Sequence, residues 1–280
     1  MPRILEPGDY FGATLPRYHD DGIAIAETRF AADLVIPQHE HLNPFFCFVL
    51  NGRGTRSWPA RAGADRPMAL TLFPAGVPHA NRWYGGGGEA LHVEFSPLWL
   101  ERLGGHAGVL RTPSDFAAGA PVSLMRRLVA ECREPDTATP LAVEGLVLEL
   151  VAACARSAAP RAAAGGRRAW LDRVEAMLRE RFHESLALDE IAAASHVSAD
   201  HLAREFRKRF GCSVGEYVRQ LRLEFACRQL AAGGEPLARI AQAAGFADQS
   251  HFTRVFRRAM GATPAAYRAQ LAPHRCRSRN

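Results

Sequence analysis

The chain has 280 residues, 48% of them hydrophobic, enough to bury the cores of about two domains and to exclude disorder throughout. Its formal charge of +6 is uneven: residues 1–160 carry 14 Lys or Arg against 17 Asp or Glu, whereas residues 161–280 carry 21 against 12. The basic excess in the C-terminal part points to a polyanion such as nucleic acid, or to a solvated basic surface. Six cysteines without a C-x-x-C pair argue against a zinc ribbon or a thioredoxin-like site. No basic-then-apolar leader and no run of about 18 apolar residues is found, so a cytoplasmic location with no membrane partner is expected.

Residues 20 to 95 alternate β-prone runs with turn residues: "GIAIAETRF", "PFFCFVLNGRG", "MALTLFPAGVPH" and "ALHVEFS". Asn51-Gly52 predicts a tight hairpin turn, because both residues tolerate positive φ. Gly85 to Gly88 read as a flexible turn between strands. The pattern predicts a small antiparallel barrel or sandwich. Amphipathic segments follow at 97–103, 121–134 and 140–157. In the last, Val143, Val147, Leu150 and Cys154 form one apolar stripe, which packs on its own barrel, on a second copy, or on both. "ARSAAPRAAAGGRRA" predicts an interdomain linker over 158–169, and beyond Trp170 the pattern is helical.

The helical part contains an internal repeat. At an offset of 50, "HLAREFRKRFG" from His201 aligns with "HFTRVFRRAMG" from His251, and Tyr217 aligns with Tyr267. At an offset of 49, "LDEIAAASHV" aligns with "LARIAQAAGF". The change of offset falls at a predicted turn, which can absorb a residue without rotating a helix face. Each copy predicts a short helix, a turn ending at Ser198 or Asp248 as N-cap, and a second helix. Leu202 and Phe206, or Phe252 and Phe256, face inward, and Arg204 or Arg254 faces outward. Gly211 and Gly261 are expected C-caps. Ser213 with Glu216, and Thr263 with Pro264, predict the next helix starts. A helix over about 216–231, about 23 Å long, would hold the two units apart to meet major-groove faces about 34 Å from one another.

Residues 170 to 271 resemble the DNA-binding domain of the AraC/XylS family of bacterial transcriptional regulators, most clearly in "IAQAAGFADQSHFTRVFRRAMGATPAAYR". The resemblance implies groove contacts by Ser250 and Arg254, with Gln249 and Thr253 beside them. Arg254 suits guanine and Gln249 adenine, while Arg257 and Arg258 suit phosphates. On the first unit, Asp200, Ala203 and Arg204 take the corresponding groove positions and Arg207 and Lys208 reach phosphate. Asp200 either accepts from cytosine or favours the helix N-terminus.

His39 and His41 share one strand face, and H-x-H followed by "PAGVPH" ending at His79 resembles the two motifs of a cupin barrel. Phe45 and Phe46 stand where that pattern has a metal-binding Glu. The three histidines are therefore read as pocket or effector-contacting residues, with metal ligation as the alternative; His92 and Glu94 are candidate extra ligands. No hydrolase, Walker or H-E-x-x-H motif is present.

The expectation is an α+β protein, in which a cupin-like β-barrel precedes an all-α domain with two helix-turn-helix motifs. Residues 1–157 form the barrel with trailing helices, 158–169 the linker, 170–271 the DNA-binding domain (units 188–210 and 237–260), and 272–280 a basic tail. Expected partners are double-stranded DNA, an unidentified small-molecule effector, a second copy of the chain in a homodimer, and RNA polymerase for an activator. No cofactor and no catalytic residue are expected. The alternatives are a metal-dependent cupin enzyme fused to a DNA-binding module, and a dimeric regulator with no effector.

Overall fold

The computed structural model describes residues 2–271 apart from 21, 59–60, 117, 159–168 and 261. Among the described residues, nine strands form one curled sheet: β1 (Arg3–Leu5), β2 (Ala13–Asp20), β3 (Ile23–Phe30), β4 (Val35–His41), β5 (Phe45–Trp58), β6 (Arg61–Asp65), β7 (Leu70–Phe73), β8 (His79–Phe95) and β9 (Ser114–Phe116). The central path runs β1-β4-β8-β5-β7-β9, with β3 also on β8 and β6 on β5. All pairings are antiparallel except β1 with β4.

The sheet is buried on both faces, which explains the almost uninterrupted apolar run "FFCFVL". Phe46 and Phe48 of β5, with Leu91, Val93 and Phe95 of β8, point to one core. That core is closed by α1 (Pro97–Leu103), α2 (Ala120–Arg133) and α3 (Thr139–Ala158). The intervening residues Phe45, Cys47, His92 and Glu94 point to the concave interior, as the two-residue period of a strand requires. The stripe Val143, Val147, Leu150 and Cys154 is fully buried against this sheet, so it packs on its own barrel.

Two turn expectations are corrected. Asn51-Gly52 lies inside β5, and Gly85 to Gly88 lie inside β8. The two segments face each other across register shifts at Val49/Asn51 and Gly52/Arg53, so the glycines serve paired bulges in two long strands. Gly52 has φ of 88°, and a Cβ there would overlap the Gly87 backbone. Close backbone approach, and not a chain reversal, is what demands glycine here.

The helices that follow are α4 (Ala169–Arg181), α5 (Leu188–Ala194), α6 (Ala199–Phe210), α7 (Val214–Ala232), α8 (Leu237–Ala243), α9 (Gln249–Met260) and α10 (Pro264–Leu271). They build two separate cores. Leu171, Leu178, Ile191, Leu202, Phe206 and Tyr217 form the first. Leu223, Leu230, Ile240, Phe252, Phe256 and Tyr267 form the second. The two ends of α7 serve one core each, and at 1.5 Å per residue its 19 residues span about 28 Å. The linker residues 159–168, the tail 272–280 and the expected cap Gly261 lie outside the described residues.

The helical part is docked on the barrel. Gly119 N donates to Gln220 Oε1 at 2.7 Å, and Gln220 Nε2 donates to Ser123 Oγ. Tyr267 donates its hydroxyl to the Leu50 carbonyl at 3.0 Å, and Arg66 pairs with Glu224 at 3.0 Å. Gln220 and Glu224 are both buried, one helical turn apart on α7.

Candidate nucleic-acid interface and barrel site

The repeat seen in the sequence is a repeat of atoms. In the first unit Val197 N donates to Ala192 O at 3.0 Å, and in the second Phe246 N donates to Ala241 O at 3.0 Å. The turn residue before each is left-handed: His196 at φ 55° and Gly245 at φ 80°. The caps match, with His201 N donating to Ser198 Oγ at 3.3 Å and His251 N to Asp248 Oδ1 at 2.7 Å. Phe206 meets Tyr217 edge-on at 5.4 Å, and Phe256 meets Tyr267 edge-on at 5.2 Å. Gly211 caps α6 at φ 68°, Ser213 and Glu216 form the capping box of α7, and Ala266 N donates to Thr263 Oγ1 at 3.2 Å.

The second helices α6 and α9 show the same exposure at every matched position from Asp200/Ser250 to Phe210/Met260. Leu202, Phe206, Phe252 and Phe256 are buried; Arg204, Arg207, Lys208, Arg254, Arg257 and Arg258 are exposed. Asp200, Gln249 and Ser250 are exposed in the first turns, and Ala203 and Thr253 are half-buried beside them. The predicted contact residues thus lie on one outer face of each helix. Among the described residues, Arg207, Lys208, Arg254, Arg257 and Arg258 have no carboxylate partner, whereas Arg204 sits 3.9 Å from Glu205 and 3.1 Å from His201 Nδ1. Unpaired guanidinium groups on an outer face can take phosphate or base oxygens with no internal ion pair to break.

One feature was not legible in the sequence. The face of α9 carrying Gln249, Ser250, Thr253, Arg254 and Arg257 borders a cleft of about 1380 Å³ whose opposite wall is α2. Arg126, Arg127 and Arg133 of α2 add positive charge there, and the central helix adds Arg219. Arg126 is held below the usual guanidinium range by burial first, then by Arg219 and Arg258. The charge balance of residues 1–160 hid this patch because α2 carries cations locally within an acidic half.

In the barrel, the cross-strand register places His39 of β4 opposite His79 of β8, with His41 two residues along the same face. All three are buried, and one ring nitrogen from each lies within 4.8 Å of the others. Burial, reinforced by His79, His39 and His92, pushes His41 down to about 2; burial pushes His79 to about 4 and His92 to about 3. His92 contacts Thr28 through Nδ1 at 3.2 Å and stacks on Tyr10. Glu94 accepts from Gly8 N, Tyr10 and Asn43, so the structure does not bring it into the histidine cluster. The cavity bounded by these rings is only about 30 Å³.

Residues 191–270 match the family model described as a helix-turn-helix domain. The chain is similar to the MmsAB operon regulatory protein of Pseudomonas aeruginosa, 33% identical over 101 residues, covering 36% of this chain and 33% of that protein. It is similar to the regulatory protein SoxS of Escherichia coli K12, 36% identical over 103 residues, covering 37% of this chain and 90% of SoxS. Among solved structures, the DNA-binding domain of AdpA in complex with a target DNA is 30% identical, covering 35% of this chain and 89% of that one, at a TM-score of 0.34. The chain therefore spans a third of the first relative and nearly all of the second. With the matched residues forming the duplicated helix-turn-helix unit, the chain belongs to the AraC/XylS family of transcriptional regulators.

Proposed function

We propose that the chain is a sequence-specific DNA-binding transcription regulator whose barrel holds the controlling input. The observation that carries this reading is the matched pair of outer faces on α6 and α9, cationic and, among the described residues, free of carboxylate partners apart from Arg204. In this reading Ser250 and Arg254 make the groove contacts with Gln249 and Thr253 beside them, Arg254 suiting guanine and Gln249 adenine, and Arg257 and Arg258 hold phosphates. Asp200, Ala203 and Arg204 form the weaker reading surface of the first unit, with Arg207 and Lys208 on phosphate. The division into barrel, linker and DNA-binding domain belongs to the same proposal.

Control would pass through α7, since Gln220 and Glu224 tie it to residues 66, 119 and 123 of the N-terminal half. A ligand in the barrel shifts the docked arrangement only by its differential affinity for docked and released states. The relatives bear regulator names, which supports a regulator over an enzyme. Dimerisation and contact with RNA polymerase complete the reading.

The test is selection of duplexes from a randomised pool by the full-length chain, followed by binding titrations on the selected and scrambled sites. A regulator of this kind prefers its selected site by at least about 1,000-fold. Enrichment of no sequence, with equal affinity for both duplexes, would refute the reading. For the input, a ligand at 100 times its dissociation constant stabilises the chain by about 2.7 kcal/mol.

A further inference from the structure

The charges that line the cleft between α2 and α9 do not balance. Arg127 and Arg133 have carboxylate partners in Glu149 and Glu27. Arg126, Arg219, Arg254, Arg257 and Arg258 have neither a carboxylate nor a hydrogen-bond partner among the described residues. Of the two carboxylates on the walls, Glu216 is engaged by the Ser213 N–H and hydroxyl, and Glu134 is exposed. Hydration accounts for an exposed arginine but not for Arg126, whose Nε is shut off from solvent without a partner. Arg56, Arg209 and Arg268 have an Nε in the same condition, yet each bonds through an outer nitrogen, to Asp65, Asp172 and the Glu235 carbonyl. Arg126 makes no such bond, and it is repelled by Arg219 of α7 and Arg258 of α9.

Three elements thus bring cations to one place, and a half-buried charge among them is uncompensated, which destabilises a fold until a counter-charge arrives. A guanidinium presents a planar fork that takes two phosphate oxygens at once. The number of free cations sets the charge of the counter-ion. One carboxylate would leave four of the five unpaired, whereas two linked phosphates carry about three to four negative charges. Ser123, Gln249 and Thr253 add hydrogen-bonding groups, and among the described residues no Phe, Tyr or Trp lines the cleft. The chemistry of the walls therefore suits a hydrophilic occupant and offers no ring for an apolar one. At about 1380 Å³ the cleft has room for a small molecule, whose sites commonly measure about 300–1,000 Å³.

We propose that the cleft between α2, α7 and α9 binds a small hydrophilic molecule carrying two or more linked phosphates, anchored by Arg126, Arg219 and Arg258. Arg254 and Arg258 also belong to the proposed DNA face, so such a ligand competes with a duplex. That consequence rests on the proposed function, whereas the site itself does not.

The probe is inorganic pyrophosphate, titrated calorimetrically into the full-length protein without DNA. Salt of about 0.15 M, where the Debye length is about 8 Å, screens diffuse attraction. One pyrophosphate binds per chain, at least about 10-fold more tightly than sulfate, a comparison that needs no variant. Arg126→Met keeps the apolar stem but removes the fork, and weakens pyrophosphate binding by at least about 10-fold, the worth of one charged hydrogen bond. Arg239→Gln on α8, exposed and outside the cleft, removes the same charge and changes binding by less than about 2-fold. Far-UV circular dichroism reports whether each variant is folded, and pyrophosphate raises the unfolding temperature of the wild type and Arg239→Gln but not of Arg126→Met. Absence of saturable pyrophosphate binding by the wild type overturns the proposal, as does sulfate binding equally tightly. Equal losses in the two folded variants mark a diffuse basic surface and overturn it too. Unchanged pyrophosphate binding in Arg126→Met, with its salt slope on duplex DNA lowered by about one, assigns Arg126 to a DNA phosphate instead.

Discussion

Replacing Arg254 and replacing the pair Arg257 and Arg258 should damage DNA binding in two different ways. All three side chains are exposed and without a carboxylate partner among the described residues, so their loss leaves folding stability within about 0.5 kcal/mol. Each phosphate contact contributes about −0.9 to the slope of log affinity against log salt. With Arg207, Lys208, Arg257 and Arg258 on phosphates, the slope is about −3.6, and raising salt from 50 to 200 mM weakens binding by about 150-fold. Arg257→Ala with Arg258→Ala lowers the slope to about −1.8, so the same change costs about 12-fold, on selected and scrambled sites alike. Arg254→Ala leaves the slope near −3.6 but reduces preference for the selected site by roughly 5- to 140-fold, the worth of one bidentate base contact. Fluorescence anisotropy at four salt concentrations on both duplexes measures these quantities. If Arg254→Ala weakens both duplexes equally and lowers the slope by about one, Arg254 holds a phosphate and the assignment of the reading face is wrong.

The left-handed turn position separates the two units: Gly245→Ala would drive a Cβ into the His183 carbonyl and should cost more than about 2 kcal/mol, while His196→Gly relieves an unfavourable φ and should be neutral or stabilising by up to about 1 kcal/mol. Denaturant midpoints decide, and an unaffected Gly245→Ala would mean the close approach is not there. Gln220→Ala strands the buried Gly119 N–H and should cost about 1–3 kcal/mol, read from the unfolding of the full chain; no loss would mean that α7 is not docked on residues 119–123. The Glu216 carboxylate is held below its usual range by the Ser213 N–H and then the Ser213 hydroxyl. Its contribution is therefore complete above pH 4.5, the ordinary value, and fades as pH falls through the lowered one. The stability difference between wild type and Glu216→Gln should shrink over that range, and a difference independent of pH would show that the charge plays no part.

What the sequence determined by itself was everything governed by local rules. Helix starts at Ser198, Asp248, Ser213 and Thr263 follow from short-range capping, and the inward Phe and outward Arg of α6 and α9 follow from the 100° step of a helix. The repeat made these rules visible twice, so the outer faces that read DNA in the proposed function were legible residue by residue. The pairing of His39 and His41 on one strand face was legible for the same reason. Other features required the tertiary structure. Asn51-Gly52 and Gly85 to Gly88 satisfy turn chemistry and paired-bulge chemistry equally well, and only the β5–β8 register separates the two. Glu94 has the composition of a ligand, but long-range hydrogen bonds to Gly8 and Tyr10 draw it away from the histidines. Likewise, α2 faces α9 across the arginine cleft because Gln220, Glu224 and Tyr267 dock α7 and α10 on the barrel. Those partners are about 100 to 217 residues apart in sequence, a separation over which no local periodicity carries information.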